Sequence, residues 1–408
     1  MTKESHPYLI VLLAAVIAVT PLAVDMYLPA MPAIAHDLDA HIGSVQQSLS
    51  IFLAAYAAGM LLFGPLADSL GRRPLAIFGL TGFTLCSILL AFVDDISHFL
   101  VLRALQAFCG AAATVVVPGI VRHLYQEHTA KGMSYLSMIM MLAPLLAPSI
   151  GSAILLVSDW RSIFIVLTIY AALIFALVWK WLPEISKPII NPTDDPSIAD
   201  QPKAAGNFFS GYKVVFSNPL ARPLITSMMF GSFSFFCFIT AVSFIYIKYF
   251  GVSEQMFSLL FGANVICLML ANFINSRLVT RYGSLRMLRA GLLVAVISAV
   301  LLCVFNFFGL NIWFSVFSIA PLMGGLTLIS TNTDALIIMK FPHNSGTATA
   351  VTGTLRFGSG AFAGPLLAYF YTGTAMPFSL LMLSGVIGVI ACQLWYAFNE
   401  KKLHPATE

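Results

Sequence analysis

Charge is what this sequence has least of. Only 9% of its 408 residues are charged while 59% are hydrophobic, where a soluble domain carries roughly a quarter charged. A chain so composed is a membrane protein, with the lipid bilayer as its first partner. Cysteine is scarce as well. All six, Cys86, Cys109, Cys237, Cys267, Cys303 and Cys392, fall inside apolar runs, and none has the spacing of a metal site or a redox pair. Walker A, HExxH, GxSxG and kinase patterns are missing too, which removes nucleotide hydrolysis and covalent catalysis from consideration. No enzymatic activity, cofactor or metal is expected, and any work must be driven from elsewhere. The first apolar run is too long for a cleavable leader and lacks a small-residue cleavage site, so it reads as a retained span.

What is present is hydrophobic length. A spanning helix needs about 20 apolar residues, and twelve runs qualify: 8–30, 43–66, 75–93, 98–121, 133–157, 161–182, 222–247, 254–276, 287–306, 312–339, 346–371 and 377–398. After the sixth, a polar stretch containing "NPTDDPSIADQPKAAGN" reads as a flexible linker. The expected fold class is an all-α membrane protein of twelve transmembrane helices in two pseudo-symmetric halves, residues 1–183 and 222–408, joined by a cytoplasmic linker at 184–221. Of the 21 Lys and Arg, 17 fall on one side of this layout, Arg161 and Lys248 on the other, and Arg103 and Arg356 inside spans. That asymmetry places both termini in the cytoplasm. The net charge of +4 therefore describes topology and gives no reason to expect nucleic acid. A weak internal repeat pairs "GPLADSLGRRP" with "SRLVTRYGSLR": Leu66 matches Leu278 and Gly71 matches Gly283 at one and the same offset. Two six-helix halves around a central site is a transporter plan.

An ionisable side chain inside a span is expensive, and by default marks a functional site. Asp25, in "PLAVDMYLPAMP", lies about 24 Å along the first helix at 1.5 Å per residue, in the outer third of the bilayer. Ala14, Ala18 and Pro21 share its face and make that face a packing surface, so the carboxylate is expected to point inward; an acid near a helix end broken by Pro29 and Pro32, merely reaching outer water, is the alternative. In span four Arg103 lies at comparable depth, heading a polar stripe with Gln106, Gly110 and Thr114. Arg103 is a candidate partner that tunes Asp25 for binding and releasing a proton; a static ion pair is the alternative.

Further features concern movement. The loop after span two places Asp68 near Arg72 and Arg73, with Gly64 and Gly71 permitting close backbone approach, and Asp68 could cap a helix or latch onto Arg72. In span five, Pro144, Pro148 and Gly151 allow a bend or a close helix contact. In the second half Arg356, with Thr352 and Ser359 on its face, is expected to face a cavity, and Asp334, toward the cytoplasmic side of its span, reads equally as functional or as simply interfacial. The span-seven phenylalanines 230, 233, 235, 236 and 238 are assigned to lipid or packing. The candidate cavity residues are Tyr27, Gln106, Thr114, Asn264, Arg356 and Ser359.

With these residues in view the chain resembles the major facilitator superfamily, and within it the bicyclomycin-resistance (Bcr/CflA) type of drug:proton antiporter. "GPLADSLGRRPL" fits the superfamily's signature loop through Gly64, Leu66, Asp68, Gly71, Arg72 and Arg73. "LRALQAFCGAA" is similar to the span-four motif, "LAPLLAPSIG" resembles the antiporter motif, and "VDMYLPAMP" points to the subgroup. The resemblance implies a bacterial inner-membrane monomer that exports amphipathic drug-like molecules in exchange for protons by alternating access. Asp25 would be its span-one acid, the Asp68 loop its gate and the span-five prolines its hinge. Two departures stand out: His123 follows Arg122 where such exporters commonly have Asp, leaving Glu127 as a substitute, and Arg356 stands where Gln is frequent. On the same fold, a proton-coupled carrier for a metabolite such as a nucleoside or sugar is the alternative.

Overall fold

The computed structural model describes residues 7–125, 142–182, 215–341 and 345–403, together with Met133, Leu136 and Met140. The linker expected at 184–221 lies outside the described residues up to 214, as does Glu127. The helices are α1 (Pro7–Asp25), α2 (Met31–Asp37), α3 (Ile42–Leu70), α4 (Arg72–Leu90), α5 (Ile96–Thr114), α6 (Val117–Tyr125), α7 (Leu142–Val157), α8 (Arg161–Trp181), α9 (Ala221–Ser243), α10 (Glu254–Tyr282), α11 (Ser284–Phe307), α12 (Ile312–Lys340), α13 (Ser345–Gly360), α14 (Ala363–Tyr369) and α15 (Met376–Leu403). End-to-end pairs α1–α2, α5–α6 and α13–α14 share single spans, so the helices form twelve rods. Among the described residues ten helices or helix pairs are long and apolar enough to cross a membrane. Exposed Phe92, Val157, Phe317 and Phe398 belong to an outer surface suited to lipid.

Proline explains where two rods break. Its ring clashes with the carbonyl four residues earlier and it has no N–H to donate. Asp25 and Thr114 stand four residues before Pro29 and Pro118, and there α1 and α5 end. Pro21, Pro65, Pro148 and Pro321 are instead carried inside helices, as membrane helices tolerate when neighbours re-satisfy the freed backbone.

The internal repeat recurs in three dimensions. Gly71 turns α3 into α4 at φ 96°, and Gly283 turns α10 into α11 at φ 80°, a region that favours glycine. Gly79 of α4 packs on the Cys109–Ala113 backbone of α5, and its equivalent at the same offset, Gly291 of α11, packs on Gly325 and Leu328 of α12. Small residues let membrane helices approach closely, and both halves use the same crossing. The signature stretch is therefore not a loop. α3 runs through Gly64 and the backbone of Asp68 to Leu70, one residue turns the chain, and Arg72 opens α4.

The first six rods pack chiefly on one another, as do the last six, and the groups meet where α3 touches α13 and α14 and where α7 touches α10. Three hydrogen bonds join them at the Leu28 end: Ser243 Oγ to the Leu28 carbonyl at 2.6 Å, Ser258 Oγ to the Pro148 carbonyl at 2.9 Å, and the Gly364 N–H to Ser50 Oγ at 2.8 Å. At the same end Arg161 bonds the carboxylates of Asp37 and Asp94, tying α2 to the start of α8.

Leucine at Gly79 or Gly291 would overpack these crossings, at about 1–3 kcal/mol or more each. Either substitution should lower the detergent melting temperature by several degrees and broaden the size-exclusion peak. Gly64→Ala should do neither, because a Cβ there would approach only Val115, at 4.0 Å.

Candidate functional site

The end of α1 is built around an unsatisfied carbonyl. The last turn of any helix leaves C=O groups without intrahelical partners, and Pro29 fixes that turn at Asp25. Arg103, fully buried in α5, donates from Nη1 to the Ala23 carbonyl at 3.1 Å and to Gln106 Oε1 at 2.7 Å. Its guanidinium lies 4.3 Å from the Tyr27 ring centroid and 4.5 Å from that of Phe52. A cation at a helix C-terminus is favourable, and desolvated stacking on aromatic faces contributes about 2 kcal/mol each. These contacts offset the several kcal/mol that burying an ion costs. Arg103 thus bonds the turn that carries Asp25 and forms no ion pair with its carboxylate; that expected pairing is corrected.

Asp25 is 5% exposed and has no hydrogen-bond or ion-pair partner among the described residues. It lines a cavity of about 550 Å³ between the two groups of helices. Thr20, Pro21 and Tyr56 stand beside it, and Asn264, Phe236 and Arg356 face it from the second group. Asn272 and Thr331 continue the lining toward the Gly71 end. Arg356 Nη2 donates to both oxygens of Asp334, at 2.7 and 2.5 Å.

A cavity between two groups of six rods, walled by one free acid and one paired cation, is a plan that comparison can place. The family profile described as Major Facilitator Superfamily matches residues 13–365 and 224–408. The chain belongs to the Major Facilitator Superfamily. A bicyclomycin resistance protein homolog of Haemophilus influenzae is 32% identical over 408 residues, 99% of each chain, which bears out the resemblance to that type. A chloramphenicol resistance protein of Pseudomonas aeruginosa is 30% identical over 86% of this chain and 83% of its own. Among solved structures, a bacterial homolog of the human lysosomal transporter Spinster, inward-facing and unoccupied, superposes with a TM-score of 0.71 at 13% identity, covering 97% of each chain. The protein is thus a multi-pass membrane transporter of this superfamily, not an enzyme.

Of the six residues expected on this transporter's cavity wall, Asn264 and Arg356 are there. Tyr27, Gln106, Thr114 and Ser359 stand behind it, each engaged in a bond that holds the wall together. Tyr27 Oη meets Ser48 Oγ at 3.1 Å, Gln106 Nε2 donates to Ser87 Oγ at 2.9 Å, Thr114 Oγ1 meets Tyr56 Oη at 2.7 Å, and Ser359 Oγ donates to the Arg356 carbonyl at 2.9 Å. Residues on the gate segment staple rods within the first group. Arg72 donates to the Gly119 carbonyl at 2.7 Å and Arg73 to that of Trp179 at 2.6 Å, while the Asp68 side chain lies outside the described residues. Pro144 lines the cavity, Pro148 accepts the Ser258 bond, and Gly151 presses α7 against the Met26 carbonyl. The placement of all three is one of close contact.

The sequence reading passed over two features. Phe235, Phe236 and Phe238 line the cavity rather than lipid; α9 is buried on most of its circumference, so facing lipid was not open to them, and the crowding of Phe in one run was the only signal. Asp334 is the ion-pair partner of Arg356, and nothing local in either rod gives warning of that pairing.

Truncating Arg103 to Ala strands the Ala23 and Gln106 acceptors and opens a void, so a loss of at least about 3 kcal/mol is expected. Tyr27→Phe keeps the ring under the guanidinium and loses the hydroxyl that meets Ser48, about 1 kcal/mol. Denaturant titration of the purified variants checks both values.

Proposed function

We propose that this chain is an exporter of small, amphipathic, drug-like molecules, exchanging each for protons by alternating access in the bacterial inner membrane. The observation that carries the reading is Asp25: a buried carboxylate without a partner, on the wall of a cavity large enough for a drug-sized molecule. The resistance-protein relatives support the substrate class. Residues 1–183 and 222–408 are the two rocking bodies, 184–221 is the cytoplasmic tether, and the protein works as a monomer with both termini in the cytoplasm.

In this reading the arrangement seen is the inward-open one. The Leu28 end is the outer end, closed by the Ser243, Ser258 and Gly364 hydrogen bonds. Asp25 takes a proton when that end is open and releases it to the cytoplasm as substrate enters from the Gly71 side. Arg103 acts as a positioning residue, fixing the α1 turn on which Asp25 sits. Each proton moved inward down 100 mV contributes about 2.3 kcal/mol, enough to concentrate a solute some tens of fold. A protein-bound cofactor has no part in the cycle.

The test uses inverted vesicles with an acidified lumen and a fluorescent pH reporter. Adding chloramphenicol should collapse the gradient in the wild type and leave it intact in Asp25→Asn, with normal membrane insertion of the variant. An undiminished collapse in Asp25→Asn would overturn the assignment. Substrate movement in the same direction as protons would favour the metabolite-symporter alternative.

A further inference from the structure

The two walls of the cavity present charge in different ways. On α1 the ionisable group is Asp25, free of partners. Across from it Arg356 of α13 is tethered by Asp334 of α12, both side chains 31% exposed. The tether is end-on: one guanidinium nitrogen, Nη2, serves both carboxylate oxygens. Nε is buried without a partner, and Nη1 has none among the described residues. A guanidinium carries N–H donors and no acceptor; Nη2 is committed to Asp334 and Nε is closed off by burial, so Nη1 is the nitrogen left for something else. Arg356 lines the cavity and Asp334 does not. What a substrate meets on this wall is therefore a set of donors with positive charge, already partly neutralised from behind.

The surroundings suit such a contact. Phe236 and Phe357 flank Arg356 on the cavity lining and their rings are 5.8 Å apart, an apolar surface for the body of an amphipath. A permanent cation would be attracted by Asp25 and repelled by Arg356 on opposed walls. An uncharged or anionic molecule rich in acceptor oxygens meets at Arg356 a cationic donor that repels no part of it.

We propose that Arg356 is the specificity-determining residue of the cavity, that its Nη1 takes a carbonyl, nitro or carboxylate oxygen of the substrate, and that the preferred substrates are neutral or anionic acceptor-rich amphipaths. Asp334 is the positioning residue that holds the guanidinium at the wall. This assignment rests on the export reading above for its cargo.

Removing Arg356 alone would leave Asp334 without its counter-ion, so the informative variant is the double substitution Arg356→Gln with Asp334→Asn, which keeps two hydrogen-bonding side chains and removes both charges. Arg356→Lys keeps the charge and loses the fork. Binding of chloramphenicol and of tetraphenylphosphonium to purified protein is measured by calorimetry, and transport of both in vesicles. The double variant should bind chloramphenicol at least about tenfold more weakly, keep or improve its affinity for tetraphenylphosphonium, and melt near the wild-type temperature; Arg356→Lys should fall between. Equal chloramphenicol affinity in the double variant, an equal loss for both probes, or no binding of chloramphenicol to the wild type overturns the assignment. Binding is read without a proton gradient, so the two readings fail separately. If Asp25→Asn leaves proton movement intact while the Arg356 dependence stands, the export mechanism is the one that falls.

Discussion

The bond between Arg103 and the Ala23 carbonyl is the contact on which the cavity wall at the end of α1 depends. A helix that stops inside a membrane leaves backbone acceptors in a medium that cannot solvate them, and Pro29 makes α1 stop at the acid. The helix end carries negative partial charge, and an acid there has the wrong sign for it. Arg103 supplies the right one. It does so without an opposing carboxylate, relying on two neutral acceptors and two aromatic faces. That arrangement leaves Asp25 unpaired and facing the cavity, where a salt bridge would have tied it to α5.

The same short segment is gripped from three directions. α5 holds the Ala23 carbonyl through Arg103, α7 presses Gly151 against the Met26 carbonyl, and α9 of the second group bonds the Leu28 carbonyl through Ser243. Asp25 lies between the first and second of these, three residues from the third. In the export reading the Leu28 contact is part of the outer closure, so a change at that closure reaches the acid through three residues of backbone. Coupling here needs no long pathway, because the acid and the closure are parts of one turn.

Much of this was legible in the sequence, and the parts that were not share a cause. Hydrophobic run length gave the rods, the lone carboxylate singled out the first of them, and the repeat offset gave the equivalence of Gly71 and Gly283. Counting residues fixes depth along a rod but not rotation about its axis. Arg103 and Asp25 were placed at similar depth, which was read as a pairing; the guanidinium is turned instead to Ala23, Tyr27 and Phe52. Gln106 and Thr114 were read onto the cavity by the same stripe and are turned behind its wall. The Asp334–Arg356 pair joins two rods whose adjacency no local pattern encodes, and only the packing of α12 beside α13 brings it together.

The repeat also makes clear what the two halves do not share. At the offset that equates the glycines, the counterpart of Asp25 is Cys237 and that of Arg103 is Ser315, both buried, the serine bonded to Asn306 rather than to a helix end. The glycine crossings and the glycine turns are kept in both halves while the charges at these positions are confined to the first. The second half has its own charged pair, at a different place and already neutralised, with Arg356 on the cavity lining. A scaffold repeated in its packing therefore carries two different chemistries across one interface: an unpartnered acid on one side, and a paired cation on the other. A molecule held against Arg356 sits in the same space that Asp25 lines, so a single closing movement encloses both. In the export reading, exchange of a proton for a substrate requires that they be enclosed by one movement at different times, and two groups on opposite halves would meet that requirement without a second site.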